Sequence, residues 1–489
     1  MKKSLAKFLS GLLVIVSLNA TGFARPHVTM RVNLSGPVQQ LHCPLVNESS
    51  PHIAMDPKNA KHLAVIYTLG NSRFQDAEPD PVNPLQGYQH EAAVVASSFD
   101  GGQTWARVAL SGITLCDGGK NGVIGDPFIA IDADGHVAVT EGWVSWDPFP
   151  STEHSDGRLF VSRSSNFGAT FSSPVEPERT MNPDARQRGP LLFDSQVPGH
   201  LFVAFERSHY LNNAGTPSPT NGYIVGLGSS VAVAESNNGG ETFPTVADAI
   251  TTLPGQEVLT VSLLRSGTDL ILLAAIIDDS NFAAGAGSFI GPLSSIWQPA
   301  ADHLNSPLQL VSVRSTNGGA TFDSPTRIGT GYFGIPQAAA GPNGSLYVTW
   351  TDATNNGVFL ARSNDSGETW TGGDQPAFTP AHGAMESAVA VRPDGTVGVF
   401  YYAFTPDPTL PNDTIVTPYV AVSSDGASGW RSLAIAAPFD LSTMTGGSGD
   451  GPVMGPYQDI IPFQDGFGAV VTLGDGLGEE HVWFTKVSL

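Results

Sequence analysis

Two cysteines among 489 residues, 23 basic side chains against 45 acidic ones, and no long apolar run after the first 24 residues are what this chain conspicuously goes without. Each scarcity excludes something. The shortage of lysine and arginine leaves a formal net charge of −22, which repels polyanionic nucleic acid and anionic lipid, so neither is an expected partner. A neutral glycan is not excluded by charge. Without a second apolar run there is no candidate for a membrane-spanning helix in residues 25–489. HExxH, P-loop and GxSxG motifs are absent too, and with them the usual signatures of metalloproteases, NTPases and α/β-hydrolases. No cofactor and no metal is implied.

The N-terminus reads differently from the rest. Lys2, Lys3 and Lys7, the apolar stretch 8–16 and the ending Gly22-Phe23-Ala24 have the pattern of a secretory signal peptide cleaved after Ala24. Its loss removes three lysines and no acid, which leaves a single domain, 25–489, with a net charge of −25. No cysteine follows the cleavage point, so a lipid anchor is not indicated. In the oxidising compartment that a signal peptide implies, Cys43 and Cys116 are expected to pair, the alternative being two free buried thiols.

What the chain does contain is a repeat. Ser98-Phe99-Asp100-Gly101-Gly102-Gln103-Thr104-Trp105 returns at 164–171, 236–243, 315–322 and 363–370, and in a reduced form at 423–430 that keeps Ser423, Asp425 and Trp430. Asp or Asn folds back on the backbone as an Asx-turn, Gly supplies a positive φ, and the aromatic residue buries apolar area. None of this requires catalysis, and no site is assigned to the box acids.

A strand of period two precedes each box, at 92–98, 158–164, 230–236, 308–315, 358–363 and 418–424. Upstream lies a second repeat, a short strand, a tight polar turn and a longer strand, with turns at 56–59, 132–135, 194–199, 265–268, 341–344, 392–395 and 464–466. That makes seven turns against six boxes. The last unit has strands at 460–463, 467–473 and 481–487 and lacks a fourth, which the alternating segment 29–34 can supply. Seven four-stranded antiparallel blades of about 66 residues each, closed by an N-terminal strand, account for residues 25–489. Asp132-x-Asp134-Gly135 resembles part of a calcium loop, but Ala130 occupies the first ligand position and the equivalent turns are plain hairpins.

The box resembles the Asp-box, or bacterial neuraminidase repeat, of sialidase-like β-propellers, and six copies make the likeness extend over the whole repeat region. The resemblance implies an all-β, seven-bladed propeller. It also implies exo-sialidase chemistry, with three arginines on the substrate carboxylate, an Asp acid and a Tyr nucleophile paired with Glu. The nearest spelling of the family's early Phe-Arg-Ile-Pro motif is Phe333-Gly334-Ile335-Pro336, which lacks the arginine.

In such a ring the tight turns and the boxes share one face, while the starts of the inner strands meet at the other, beneath the long insertions 71–90, 145–156, 208–223, 278–305 and 405–414. At that channel mouth the sequence places Glu48, Asp126, Arg188, Glu257, Gln337, His382, Glu386, Tyr457 and Asp459. Carboxylates with a Tyr, a His and one Arg suit glycoside chemistry. Asp126, Glu257, Glu386, Tyr457 and Asp459 are the candidate catalytic groups, with Glu386 as the expected partner of Tyr457. Glu48, Arg188, Gln337 and His382 are the candidate ligand-binding groups. The expected function is glycan binding with hydrolysis, and the alternative is a non-catalytic carbohydrate- or protein-binding scaffold with a rim formed by Trp143, Trp146, Phe149, Tyr210 and Tyr223.

Overall fold

A computed structural model of the chain describes residues 25–38, 41–43, 45–70, 91–121, 123–145, 157–179, 185–210, 225–253, 256–278, 309–330, 333–352, 357–405, 415–426, 428–444 and 457–489. The expected signal peptide and the greater part of the long insertions lie outside the described residues, as do Trp146, Phe149 and Tyr223 of the rim.

The period-two segments form seven antiparallel sheets arranged as a seven-bladed β-propeller. Their inner strands are Asn47–Met55, Val123–Ile131, Ala185–Gln187 with Leu191–Phe193, Gln256–Ser266, Phe333–Ala340, Ala384–Val391 and Asp459–Phe463, for blades 1 to 7. Blade 2 has three full strands, and its outer edge is reduced to the Val161–Val175 bridge. Blade 7 takes its fourth strand from the N-terminus. His27–Asn33 runs antiparallel to Glu480–Ser488, with Arg31 opposite Thr485 and Asn33 opposite Trp483. Both ends of the ring therefore finish in one sheet.

In three blades an Asp–His pair sets the tight turn between the first two strands. Asp56, Asp132 and Asp194 each accept the amide N–H two residues on, from Lys58, Asp134 and Gln196 at 2.7–2.8 Å. Each also meets the imidazole Nδ1 of a histidine that closes the turn: His62 at 3.1 Å, His136 at 2.7 Å and His200 at 3.3 Å. Asp132 is thus occupied by its own hairpin.

The boxes share one hydrogen-bond pattern. Ser98 Oγ accepts the Gly102 N–H at 2.9 Å, and Asp100 Oδ1 accepts the N–H groups of Gln103 and Thr104 at 2.8 and 2.9 Å. The same Ser–Gly contact recurs from Ser164, Ser236, Ser315 and Ser363 at 2.8–2.9 Å. Even the reduced box keeps it, with Gly426 N–H on Ser423 Oγ at 3.0 Å and Ser428 N–H on Asp425 at 3.0 Å. Hydrogen bonds from the Thr104 hydroxyl and amide hold the Asp100 carboxyl down at about 2.

Each box also packs against the preceding blade. A Cβ on Gly102, at φ +93°, would stand 2.3 Å from Phe484 of blade 7. One on Gly319 would meet Phe202 of blade 3, and one on Gly426 would meet Tyr347 of blade 5. The apolar core is divided accordingly into seven clusters, one at each seam between neighbouring blades. A residue buried there, such as Phe484 or Trp350, contributes about 2–3 kcal/mol.

Cys43 and Cys116 form a disulfide that ties the approach to blade 1 to the short helical turn Leu115–Asp117 beyond it. In the chain-entropy account, closing a loop of that length contributes about 4 kcal/mol. Among the described residues no helix is long and apolar enough to cross a membrane.

The seam between blades 1 and 2 also buries acids. Glu91 Oε2 accepts the Ile124 N–H at 2.8 Å, and burial pushes its carboxyl up to about 8. Neither oxygen of the fully buried Glu141 has a hydrogen-bond partner; burial, then the nearby Asp117, raises its pKa well above the usual range. Between about pH 4.5 and 8 the unfolded chain has lost the Glu91 proton that the folded chain keeps, so folding stability falls as pH rises through that window. Chemical denaturation should show Glu91→Gln gaining on the order of 2 kcal/mol over the parent at pH 8 and nothing at pH 4.5. Equal gains at both pH values would refute this account of the seam.

Candidate functional site

The inner strands do not enter the ring as regular ladders. Their pairing breaks between Ser49 and His52, Gly125 and Phe128, Val258 and Thr260, Phe333 and Gln337, and Met385 and Ala388. In blade 3 the strand is interrupted at 188–190. At four of these breaks a non-glycine residue is left-handed: Ser50 (φ 52°), Asp126 (φ 47°), Arg188 (φ 50°) and Glu386 (φ 47°). Such a backbone costs about 1 kcal/mol or more per residue and is retained where the surroundings over-determine it, often at functional sites. Proline explains part of the break. Pro51 and Pro127 directly follow Ser50 and Asp126, Pro190 follows Arg188-Gly189, and Pro336 precedes Gln337; none of the four can donate to the ladder.

The bulges and the start of blade 7 assemble one cluster from four blades. His52 Nδ1 lies 3.3 Å from Asp459 Oδ2, which also accepts the Ile53 N–H at 3.1 Å. The His52 ring stacks on Phe128 with centroids 4.4 Å apart and lies 5.0 Å from the Tyr457 ring, itself 5.1 Å from Phe128. Arg188 Nη1 donates to Glu206 Oε2 at 2.6 Å. Tyr457 is 2% exposed. Burial first, then the charge of Asp126, raises its phenol well above the ordinary range, and Arg188 opposes the rise through its charge and a hydrogen bond. Burial likewise raises Asp126, against Arg188 and His52.

A second group adjoins it through Gln458. Burial pushes the Glu386 carboxyl up to about 8, with a hydrogen bond to Gln458 pulling the other way. Gln458 Oε1 also accepts from Tyr402 Oη at 3.1 Å, and its carbonyl accepts from Gln337 Nε2 at 2.7 Å. Two buried polar atoms here have no hydrogen-bond partner in the protein: His52 Nε2 and Glu386 Oε2. Buried groups left unsatisfied by the protein call for an explanation, and a bound ligand is one.

The sequence-derived residues divide as follows. Asp126, Arg188, Tyr457 and Asp459 meet in the first group, and Glu386 and Gln337 in the second. The electrostatic neighbours of Tyr457 are Asp126, Arg188 and Glu206, while Glu386 faces Gln458 and Tyr402. Glu48 stands in the closing seam, where its Oε2 accepts from Ser35 Oγ at 2.5 Å and the Val482 N–H at 2.7 Å, and burial pushes its carboxyl up to about 7. His382 is exposed in the turn before Ala384–Val391. Glu257 lies on Gln256–Ser266 opposite Ile277, and its side chain is outside the described residues, as are those of Trp143 and Tyr210. His52, Phe128, Glu206, Tyr402 and Gln458 are site residues that the sequence reading missed. The signal for the first two was present: each directly follows a proline set inside an inner strand.

Arg186 and Arg207 do not converge on the mouth. Both bind Glu178, at 2.7 and 2.6 Å, and Arg207 also pairs with Asp248. For cations, Asp475, Glu479 and His481 are the group among the described residues whose ligand atoms lie within 4.8 Å of one another. Asp475 Oδ1 there already accepts the N–H groups of Leu477, Gly478 and Glu479.

No protein-family model and no curated protein sequence matches this chain. Solved structures do. An ulvan polysaccharide lyase, solved with a -[GlcA(1-4)Rha3S]- ligand, is similar at a TM-score of 0.50 and 12% identity, over 91% of this chain and 94% of that one. A Hadza microbial sialidase is similar at 0.47 and 13% identity, over 95% and 96%. An α-L-arabinanase of Penicillium chrysogenum gives 0.43 and 14%, over 77% and 94%. At 12% identity the likeness to the lyase shows the fold alone, and the seven antiparallel sheets make the chain a seven-bladed β-propeller.

Asp126→Gly removes a left-handed non-glycine residue and a buried carboxyl together. Its thermal midpoint should equal or exceed that of the parent by a few degrees; a midpoint well below the parent's would show that Asp126 supports the fold.

Proposed function

We propose that this protein is a glycan-cleaving enzyme, a glycoside hydrolase whose reaction takes place at the channel mouth. The observation that carries the reading is the cluster at the mouth, where His52 lies 3.3 Å from Asp459 with its ring 5.0 Å from that of Tyr457, Arg188 and Asp126 act on the same phenol, and Glu386 adjoins through Gln458. Glu386, pushed up to about 8, keeps its proton at neutral pH and is the group able to protonate a leaving glycosidic oxygen. Tyr457 is the attacking group. Arg188, already beside it, favours the phenolate that attack requires.

The charge of the site bears on the substrate. Among the described residues the arginine of the site is Arg188, which is engaged by Glu206, while Arg186 and Arg207 are held on Glu178. A triad of free guanidinium groups for a sialic acid carboxylate is therefore not available from these residues, and a neutral glycan is the better fit. A panel of neutral and acidic oligosaccharides and 4-methylumbelliferyl glycosides tests this. Turnover of a neutral member is expected, with kcat at least 10²-fold lower in both Glu386→Gln and Tyr457→Phe. Full turnover in both variants rejects the assignment, and binding without cleavage by the parent identifies a scaffold instead.

The protein is also proposed to be exported, with a signal peptide cleaved after Ala24; the disulfide supports an oxidising destination, extracellular or periplasmic. N-terminal sequencing of the secreted product should begin at Arg25, and an intact Met1 terminus on exported protein would contradict this.

A further inference from the structure

Tyr457 needs a proton acceptor before it can attack, and the acids of the mouth are poorly suited to that work. Asp126 and Glu386 are driven towards their protonated forms by burial, and Glu206 is committed to Arg188 at 2.6 Å. The remaining neighbour is His52. It follows the Ser50-Pro51 bulge of blade 1, is 8% exposed, and lies against both Phe128 and Tyr457. Its orientation is fixed by Asp459 of blade 7. That carboxyl accepts the Ile53 N–H on Oδ2 at 3.1 Å and the Ile460 N–H on Oδ1 at 2.7 Å, so its contact with His52 Nδ1 at 3.3 Å assigns the ring proton to Nδ1. Nε2 is left as a bare, buried acceptor.

We propose that His52, oriented by Asp459, is the proton acceptor of this site. The inference rests on the hydrolase reading above. In the first step the Tyr457 O–H bond breaks and its proton passes to His52 Nε2 while the phenol oxygen bonds to the anomeric carbon. The glycosidic C–O bond breaks, and its electron pair goes to the leaving oxygen, which takes the proton of Glu386. In the second step water attacks the same carbon and gives its proton to the Glu386 carboxylate. The Tyr457 oxygen departs with its electron pair and recovers the proton from the His52 imidazolium. The sum is hydrolysis, with every group restored. Asp459 is then a positioning residue. The ionisable groups facing His52 are Asp459, Asp126 and Tyr457, with the Arg188–Glu206 pair behind them.

Two measurements on the full chain test this. In protein labelled with ¹⁵N-histidine, with His52→Gln used for assignment, neutral His52 should carry its proton on Nδ1, and Asp459→Asn should disturb that tautomer. A wild-type ring protonated on Nε2 overturns the proposal without recourse to a substrate. On whichever 4-methylumbelliferyl glycoside the parent cleaves, His52→Ala should lose 10²- to 10⁴-fold in kcat and recover part of it with added imidazole. Asp459→Asn should move the acid limb of the kcat/KM profile. Undiminished cleavage after loss of His52 overturns the role of His52 alone. A parent that cleaves no glycoside overturns the hydrolase reading, and the role of His52 with it.

Discussion

The contact on which the ring depends is the one between a box glycine and the core of the blade before it. Gly102 lies against Phe484, Gly319 against Phe202 and Gly426 against Tyr347. A β-carbon at Gly102 would be far inside van der Waals distance of an aromatic ring, so the left-handed glycine is a steric requirement of close approach as well as of the turn. The serine and the acid of the box spend their oxygens on holding that glycine's loop shut. A single short motif thus serves two ends, closing a hairpin and setting the spacing between sheets, and its six copies space six of the seven blades.

With the outer parts of the blades standardised in this way, variation is concentrated at the inner strands. A regular ladder would direct alternate side chains into the two seams and leave little at the axis. The bulges turn Asp126, Arg188 and Glu386 out of that alternation, at the cost of left-handed backbone. The same departures bring groups from blades 1, 2, 3 and 7 to within ring-contact or salt-bridge distance of one another. Electrostatics then separates the carboxyls. Asp459 is satisfied by two backbone amides and an imidazole, whereas Glu386 is buried with one oxygen unpartnered.

Much of this was legible in the sequence, and the limit is physical. Period-two strands, turn chemistry and the eight-residue repeat are local, so blade number, strand order and closure by residues near 29–34 could be read directly. The mouth was legible in outline because inner strands must begin there. What a linear reading could not supply was which carboxyl faces which neighbour. The sequence places Glu48 and Glu386 alike at the mouth, yet one is bound into the closing seam by Ser35 and Val482 and the other faces Gln458. His52 was missed because a histidine within an apolar strand resembles core; its pairing with Asp459 spans 407 positions of sequence and exists only once the ring is closed.

Closure by the first strand has a consequence for how the chain matures. The sheet Asp459–Phe463, Gly466–Gly474, Glu480–Ser488 and His27–Asn33 cannot be completed until the last residues of the polypeptide are free to meet the first. Throughout synthesis the early blades therefore present an unsealed edge, and Asp459 has not yet reached His52. The His52–Asp459 contact at the mouth is made by the same event that locks the ring, so a nascent or C-terminally clipped molecule would lack both.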